Sequence, residues 1–152
     1  MIRHVYQHRV RYRECDPMGM VYHAHYVDYL EAARTETLRA LGLPYRELEA
    51  AGIIMPVVAL SLRFIQPAYY DDLLDIVTMI RELPRARLFL DYEVRRHETQ
   101  ELLATGQVTL CFVDRARNRP IRAPKVLLDV LQQALAPSLS TDGQPKRSCL
   151  PK

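Results

Sequence analysis

Between Val5 and Arg13 the side chains alternate. Tyr6, His8, Val10 and Tyr12 fall on one face and mostly basic or polar residues on the other, so the spacing predicts a half-buried strand. Pro17 has no N–H to give a ladder and Gly19 accepts unusual backbone angles, so the strand should end at Glu14-Cys15-Asp16-Pro17, with Asp16-Pro17-Met18-Gly19 as a loop. The period then becomes helical. From His25 to Leu41 apolar positions recur at Tyr26, Tyr29, Leu30, Ala33, Thr37 and Leu41, and Val27, Ala32 and Leu38 widen the stripe until most of the helix should be enclosed. Gly42 supplies its stop, and Pro44 opens a shorter helix that runs to about Ala51 and closes at Gly52.

The second half of the chain returns to a two-residue period. Val58, Leu60, Leu62 and Phe64 alternate with Ala59, Ser61, Arg63 and Ile65 before Gln66-Pro67 breaks the run. Three more strands follow, around Ile76–Ile80, Leu88–Arg95 and Val108–Val113, with turns near Pro84 and at Glu98-Thr99-Gln100-Glu101, the spacing of an antiparallel meander. After Pro120 and Pro124 the residues Val126, Leu127, Val130, Leu131, Ala134 and Leu135 repeat at helical spacing. Strand, long helix, short helix and four strands have one economical packing. The sheet curls round the apolar helix, giving an α+β fold in a single domain over residues 1–137, with the Ser-, Pro-, Gly- and Lys-containing stretch 138–152 expected to be a disordered tail.

Composition narrows the function classes. A chain of 152 residues with 49% hydrophobic content supports one core, and its formal charge of +3 is too small and too dispersed for a nucleic-acid surface. Cys15, Cys111 and Cys149 are odd in number and scattered, which argues against a disulfide framework and for a reducing compartment. The N-terminus lacks the apolar segment of a signal peptide, and no run approaches the roughly 20 apolar residues of a membrane span. The expectation is a soluble, cytoplasmic protein.

Chemistry concentrates in Tyr12–Tyr26, where a strand hands over to a buried helix. The first amides of a helix lack intrahelical partners and carry partial positive charge, so they can hold a carbonyl oxygen as it becomes an oxyanion. A carboxylate in the loop before them can attack the carbonyl carbon or activate water, and Asp16 has that place, although residue type and spacing alone favour an ordinary loop or capping role. His23 and His25 are two residues apart, against the three or four that ligands on one helix face require, so no metal site is expected. Glu31 is expected to face an apolar region, whereas Glu36 reads as an ordinary surface ion-pair partner. No base is fixed beside Cys15, so an inert thiol is favoured there. Neither a Gly-x-Ser-x-Gly elbow nor a glycine-rich cofactor loop is present, and no cofactor is implied.

The run Asp16-Pro17-Met18-Gly19-Met20-Val21-Tyr22-His23-Ala24-His25-Tyr26, continued by Leu30-Glu31-Ala32-Ala33-Arg34, resembles the signature of hot-dog-fold acyl-CoA thioesterases of the 4-hydroxybenzoyl-CoA thioesterase superfamily, close to the Tol-Pal-associated branch. Arg63–Asp72 and Cys111–Asp114 are similar to later landmarks of that family, and the likeness spans about residues 5 to 135. The resemblance implies a five-stranded antiparallel sheet wrapped round the long helix. It further implies two subunits that pair their sheets, as a homodimer or a homotetramer, and share two active sites. The family's acid falls on Asp16, as base or nucleophile; its oxyanion-binding amide falls on the N–H of His23, with Gly19, Tyr22 and Tyr26 at the substrate. His23 matches the Tol-Pal branch and Cys15-Asp16-Pro17 the aromatic-acyl branch, so the acyl group stays open. The implied reaction is hydrolysis of acyl-CoA to free acid and CoA. Competing readings are release of acyl or polyketide chains from an acyl carrier protein, a hydratase, and a non-catalytic acyl-binding or envelope-assembly module. Arg85, Arg87, Arg95 and Arg96 are candidates to meet CoA phosphates, against an ordinary solvated role.

Overall fold

The computed structural model describes residues 1–136, so the stretch expected to be a tail lies outside the described residues. In chain order the elements are β1 (Ile2–Arg9), α1 (His25–Ala40), α2 (Tyr45–Ala50), β2 (Ile53–Ile54), β3 (Val57–Phe64), β4 (Leu73–Ile80), β5 (Arg87–Arg96), β6 (Leu102–Asp114), β7 (Arg119–Ile121) and α3 (Lys125–Leu135). The long strands pair antiparallel in the order β1-β4-β5-β6-β3, and the short β2 and β7 add to the distal part of β6. Five long strands with a long helix packed against them match the expected α+β arrangement, but α1 is not mostly enclosed: six of its sixteen residues are buried, and Val27, expected to widen the buried stripe, is exposed. The two short strands, of two and three residues, are too brief to leave a periodic signal.

Tyr26, Tyr29, Leu30, Ala33, Thr37 and Leu38 of α1 are buried, and Leu74, Ile76, Leu88, Leu90, Tyr92, Val108 and Leu110 of β4, β5 and β6 belong to the same core. Close approach depends on Gly106 of β6. A Cβ built there would stand 3.0 Å from Leu30 Cδ1 and 3.1 Å from Leu62 Cδ2, so the missing side chain gives Leu30 its seat on the sheet.

Four further expectations need correction. β1 starts at Ile2 and stops at Arg9, because the Glu14 side chain accepts the Arg11 N–H at 2.7 Å and winds Tyr12–Glu14 into a 3₁₀ turn that leaves Tyr12 exposed. β3 does not continue into a meander. It crosses to the far edge beside β6, while β1 takes the place next to β4. The alternation within β3 does not translate into one buried face, since Val57, Val58, Leu60 and Phe64 are all exposed along this edge strand. Finally, Glu31 is exposed, because α1 turns its Tyr26–Leu30–Ala33–Thr37 side inward.

Asp75 of β4 is a buried carboxylate satisfied from three sides. Gln7 Nε2 and Gln100 Nε2 each donate to it at 3.0 Å, and His97 Nδ1 lies 3.0 Å from both its oxygens. The cluster ties the β5–β6 turn to β4 and β1. Burial alone would raise the Asp75 pKa, but hydrogen bonds from Gln100, His97 and Gln7, with the charge of His97, outweigh it and hold the carboxyl below its ordinary value. The folded state therefore binds this proton more weakly than the unfolded chain does. The carboxylate contributes stability above the unfolded pKa of about 3.9, and the contribution is lost as pH falls through the lower folded value. Asp75→Asn should lower the unfolding free energy at pH 7 by roughly 1–3 kcal/mol, as for a buried polar group that loses partners. The gap to wild type should narrow as the pH drops below about 4. Urea titrations at pH 7 and pH 3 measure both, and equal deficits at the two pH values would refute the assignment.

Candidate active site

The handover from β1 to α1 is a looped hairpin. Cys15 pairs with Val21, Asp16 N–H donates to Met20 O at 2.8 Å, and Gly19 N–H donates to Asp16 O at 2.9 Å. Gly19 carries φ +83° with open space around its missing Cβ, so backbone conformation, not crowding, calls for glycine there. The loop docks on the β3–β4 connection through Val21 N–H to Ala68 O at 2.9 Å and a bridge between Met20 and Tyr69.

Asp16 occupies the inner bend. Its Oδ1 accepts the Met18 N–H at 2.9 Å and the Met20 N–H at 3.3 Å, an arrangement that shapes the loop, while Oδ2 takes part in no hydrogen bond among the described residues. One oxygen is structural and the other is free. At the start of α1 no side chain caps Ala24. His25 N–H turns back to Tyr22 O and Tyr26 N–H to His23 O, whereas the N–H groups of His23 and Ala24 donate to no acceptor among the described residues.

Asp16 and His23 open onto one cleft of about 310 Å³, whose other walls include Val21, Tyr26, Phe64, Ile65 and Pro67. Tyr26 is buried and meets Phe64 edge to face, with ring centroids 5.0 Å apart. The cleft thus has mixed walls, with a carboxylate and a helix start on one side and Phe64, Ile65 and Pro67 on the other, and its size suits a small organic group. A second cleft of about 420 Å³, bounded by Tyr12, Cys15, Pro17, Gly19 and Tyr70, meets the first at Asp16. Tyr22, expected at the substrate, does not line the first cleft. It is exposed, and its ring lies tilted at 49° against the His23 ring, centroids 4.3 Å apart. Gly19 lines only the second cleft of the two.

The wall formed by Phe64, Ile65 and Pro67 was not foreseen as part of a site, although the break of a strand pattern at Gln66-Pro67 is the signal that marks it. Arg96, considered for phosphate, is instead engaged within the fold. It donates to Asp72 at 3.2 Å, to Pro67 O at 2.9 Å and to Glu101, and so braces this wall. Arg95 likewise pairs with Glu93 at 2.8 Å. The Cys15 thiol is pushed up by burial and by the carboxylates of Glu14, Asp16 and Asp72, which disfavours the nucleophilic thiolate. Among the described residues no group of three or more His, Cys, Asp or Glu is placed to hold a metal ion. No helix there is long and apolar enough to cross a membrane.

Comparison with known proteins bears on this geometry. Residues 10–134 match the family model of the thioesterase-like superfamily. The acyl-CoA thioesterase YbgC of Haemophilus influenzae is 32% identical over 118 residues, covering 77% of this chain and 85% of that protein. The DHNA-CoA thioesterase of Staphylococcus aureus superposes with a TM-score of 0.80 at 30% identity, covering 88% of this chain and 89% of that one. A mutant 4-hydroxybenzoyl-CoA thioesterase, with asparagine in place of an aspartate and complexed with 4-hydroxybenzoyl-CoA, superposes with a TM-score of 0.75 at 28% identity, covering 84% and 97%.

Proposed function

This chain belongs to the thioesterase-like superfamily and is a hot-dog-fold thioesterase, and from that premise we propose that it hydrolyses acyl-CoA to free acid and CoA at the cleft between Asp16 and the start of α1. The observation that carries the reading is the meeting, on one cleft, of Asp16, whose Oδ2 is in no hydrogen bond, and His23, whose N–H has no acceptor, among the described residues. The acyl group lies against Tyr26, Phe64 and Pro67, with its carbonyl oxygen toward the His23 N–H. Asp16 Oδ2 takes a proton from water as the water oxygen bonds to the carbonyl carbon, or bonds to that carbon itself. In either case the carbonyl electron pair moves onto oxygen, where the amide and the helix dipole stabilise it. Its return expels the CoA thiolate, which takes up a proton, and water supplies the oxygen that leaves in the carboxylate. In the direct-attack route water cleaves the intervening anhydride. His23 acts through its main chain, Gly19 keeps the loop in shape, and Tyr22 braces the helix start through its tilted ring contact with His23.

We further propose that the active form is a homodimer or a dimer of dimers. β3 is an edge strand with Val57, Val58, Leu60 and Phe64 exposed, and its last residue Phe64 is also a wall of the cleft. An unpaired apolar edge is the feature that pairing with a second copy would cover.

Two experiments test these readings. Purified protein should release thiol from at least one member of a panel of acetyl-, palmitoyl- and benzoyl-CoA and acyl carrier protein thioesters. Asp16→Asn keeps an oxygen for the Met18 and Met20 amides, so it should fold normally. Its kcat should fall by roughly 10²–10⁴-fold with KM changed far less, while His23→Ala stays near wild type. Absence of thiol release, or a well-folded Asp16→Asn enzyme with normal turnover, sinks the mechanism. Separately, light scattering should give at least twice the chain mass, and Leu60→Lys should shift it toward monomer with loss of activity. A fully active wild-type monomer would contradict the assembly.

A further inference from the structure

Glu14 is buried to 7% exposure, two residues before Asp16, yet its carboxylate lines neither cleft at Asp16. It sits at a junction of three elements. Glu14 Oε1 accepts the Arg11 N–H at 2.7 Å and lies 2.8 Å from His8 Nε2 of β1, whose Oε2 separation is 3.1 Å. The His8 ring lies against Tyr29 of α1, with centroids 4.5 Å apart, and the buried Tyr29 hydroxyl adjoins the same carboxylate. The main chain of Glu14 is equally committed. Its carbonyl accepts the Tyr22 N–H at 2.9 Å, one residue before the His23 amide, and the next residue, Cys15, bridges Val21. The base of the loop and the last turn before α1 therefore hang from one residue.

A buried carboxylate without partners costs several kcal/mol, so such a group persists where hydrogen bonds hold it. Burial alone would raise the Glu14 pKa, but the Arg11 amide and the hydrogen bond and charge of His8 outweigh it and hold the carboxyl below its ordinary value. Tyr29 is pushed the other way, up by burial and by the Glu14 charge, so it stays a neutral phenol. The anion is thereby held by an amide and an imidazole, the His8 ring in turn lying against Tyr29, so that it has one place relative to strand and helix.

We propose that the Glu14–His8 pair is a positioning element for hydrolysis, setting the distance between the Asp16 carboxylate and the His23 N–H by fixing both ends of the loop that joins them. This inference rests on the catalytic reading given above. Glu14 touches no reacting atom. A loosened pair lets the loop shift against α1, and because effective positioning of reacting groups is sensitive to displacements of about 1 Å, turnover suffers before binding does.

The test uses the full chain with whichever CoA thioester of the panel is cleaved fastest. Glu14→Gln, which keeps an acceptor for the Arg11 amide but removes the charge, should lower kcat by about 10–100-fold with KM within about threefold. His8→Leu, which removes the donor, should reproduce this split, and His8→Gln, which restores an N–H toward Glu14, should recover most of kcat. If Glu14→Gln melts below the assay temperature, the two His8 variants decide the matter alone. Turnover unchanged in a variant that is only less heat-stable, a change confined to KM, or failure of His8→Gln to improve on His8→Leu overturns the inference. Asp16→Asn serves as the control. If it is inactive while Glu14→Gln matches wild type, the positioning role fails and the mechanism stands; if Asp16→Asn itself turns over normally, both fail.

Discussion

The seat of α1 on the sheet is the constraint on which the remaining geometry depends. A sixteen-residue helix with six buried side chains needs a concave partner, and Gly106 lets Leu30 approach the backbone of β6 more closely than any side chain would allow. Once α1 lies in that groove, its N-terminus emerges beside the end of β1. The fifteen residues that join them, from Val10 to Ala24, are enough to form the loop that carries Asp16, which doubles back and docks on the β3–β4 connection through Val21 and Met20. Apolar packing of the helix thus decides where the polar chemistry sits.

Charge is handled differently at each place it enters the fold. Asp75 and Glu14, the buried carboxylates, are both held below their ordinary pKa by donors on neighbouring elements, and each fastens a turn to a strand. Arg96 does the same for the wall of the cleft, through Asp72, Glu101 and the Pro67 carbonyl. Asp16 is the exception. Its Oδ1 shapes its own loop while its Oδ2 takes part in no hydrogen bond among the described residues, and the residue lines the cleft.

The parts of this arrangement that were legible in the sequence are those with a local signal. α1 is expected over His25–Leu41 and found over His25–Ala40, because its stripe and its glycine stop both act within the segment. Asp16, His23 and Tyr26 stand out through the resemblance of one motif to a known family, where residue type and spacing alone favour an ordinary loop role for Asp16, and the fold brings these three to a single cleft. The features that escaped depend on contacts distant in sequence. The placement of β3 beside β6 and not β4 follows from the crossover, which no strand period reveals. β1 ends early because the Glu14 carboxylate recaptures the Arg11 amide, a side-chain event that competes with an otherwise good alternating pattern. Tyr22 points outward beside the His23 ring, and the Phe64–Pro67 wall belongs to the site because the loop bonds to Ala68 and Tyr69 across almost fifty residues of chain.

The central claim is that the thioester carbonyl lies between Asp16 and the His23 amide, and a crystal structure of Asp16→Asn soaked with the uncleaved CoA thioester tests it most directly. The account predicts the carbonyl oxygen at about 2.7–3.1 Å from the His23 N, the carbonyl carbon facing residue 16, and the acyl group against Tyr26 and Phe64. A thioester bound elsewhere on the protein, or one whose carbonyl oxygen points away from the start of α1, would contradict it.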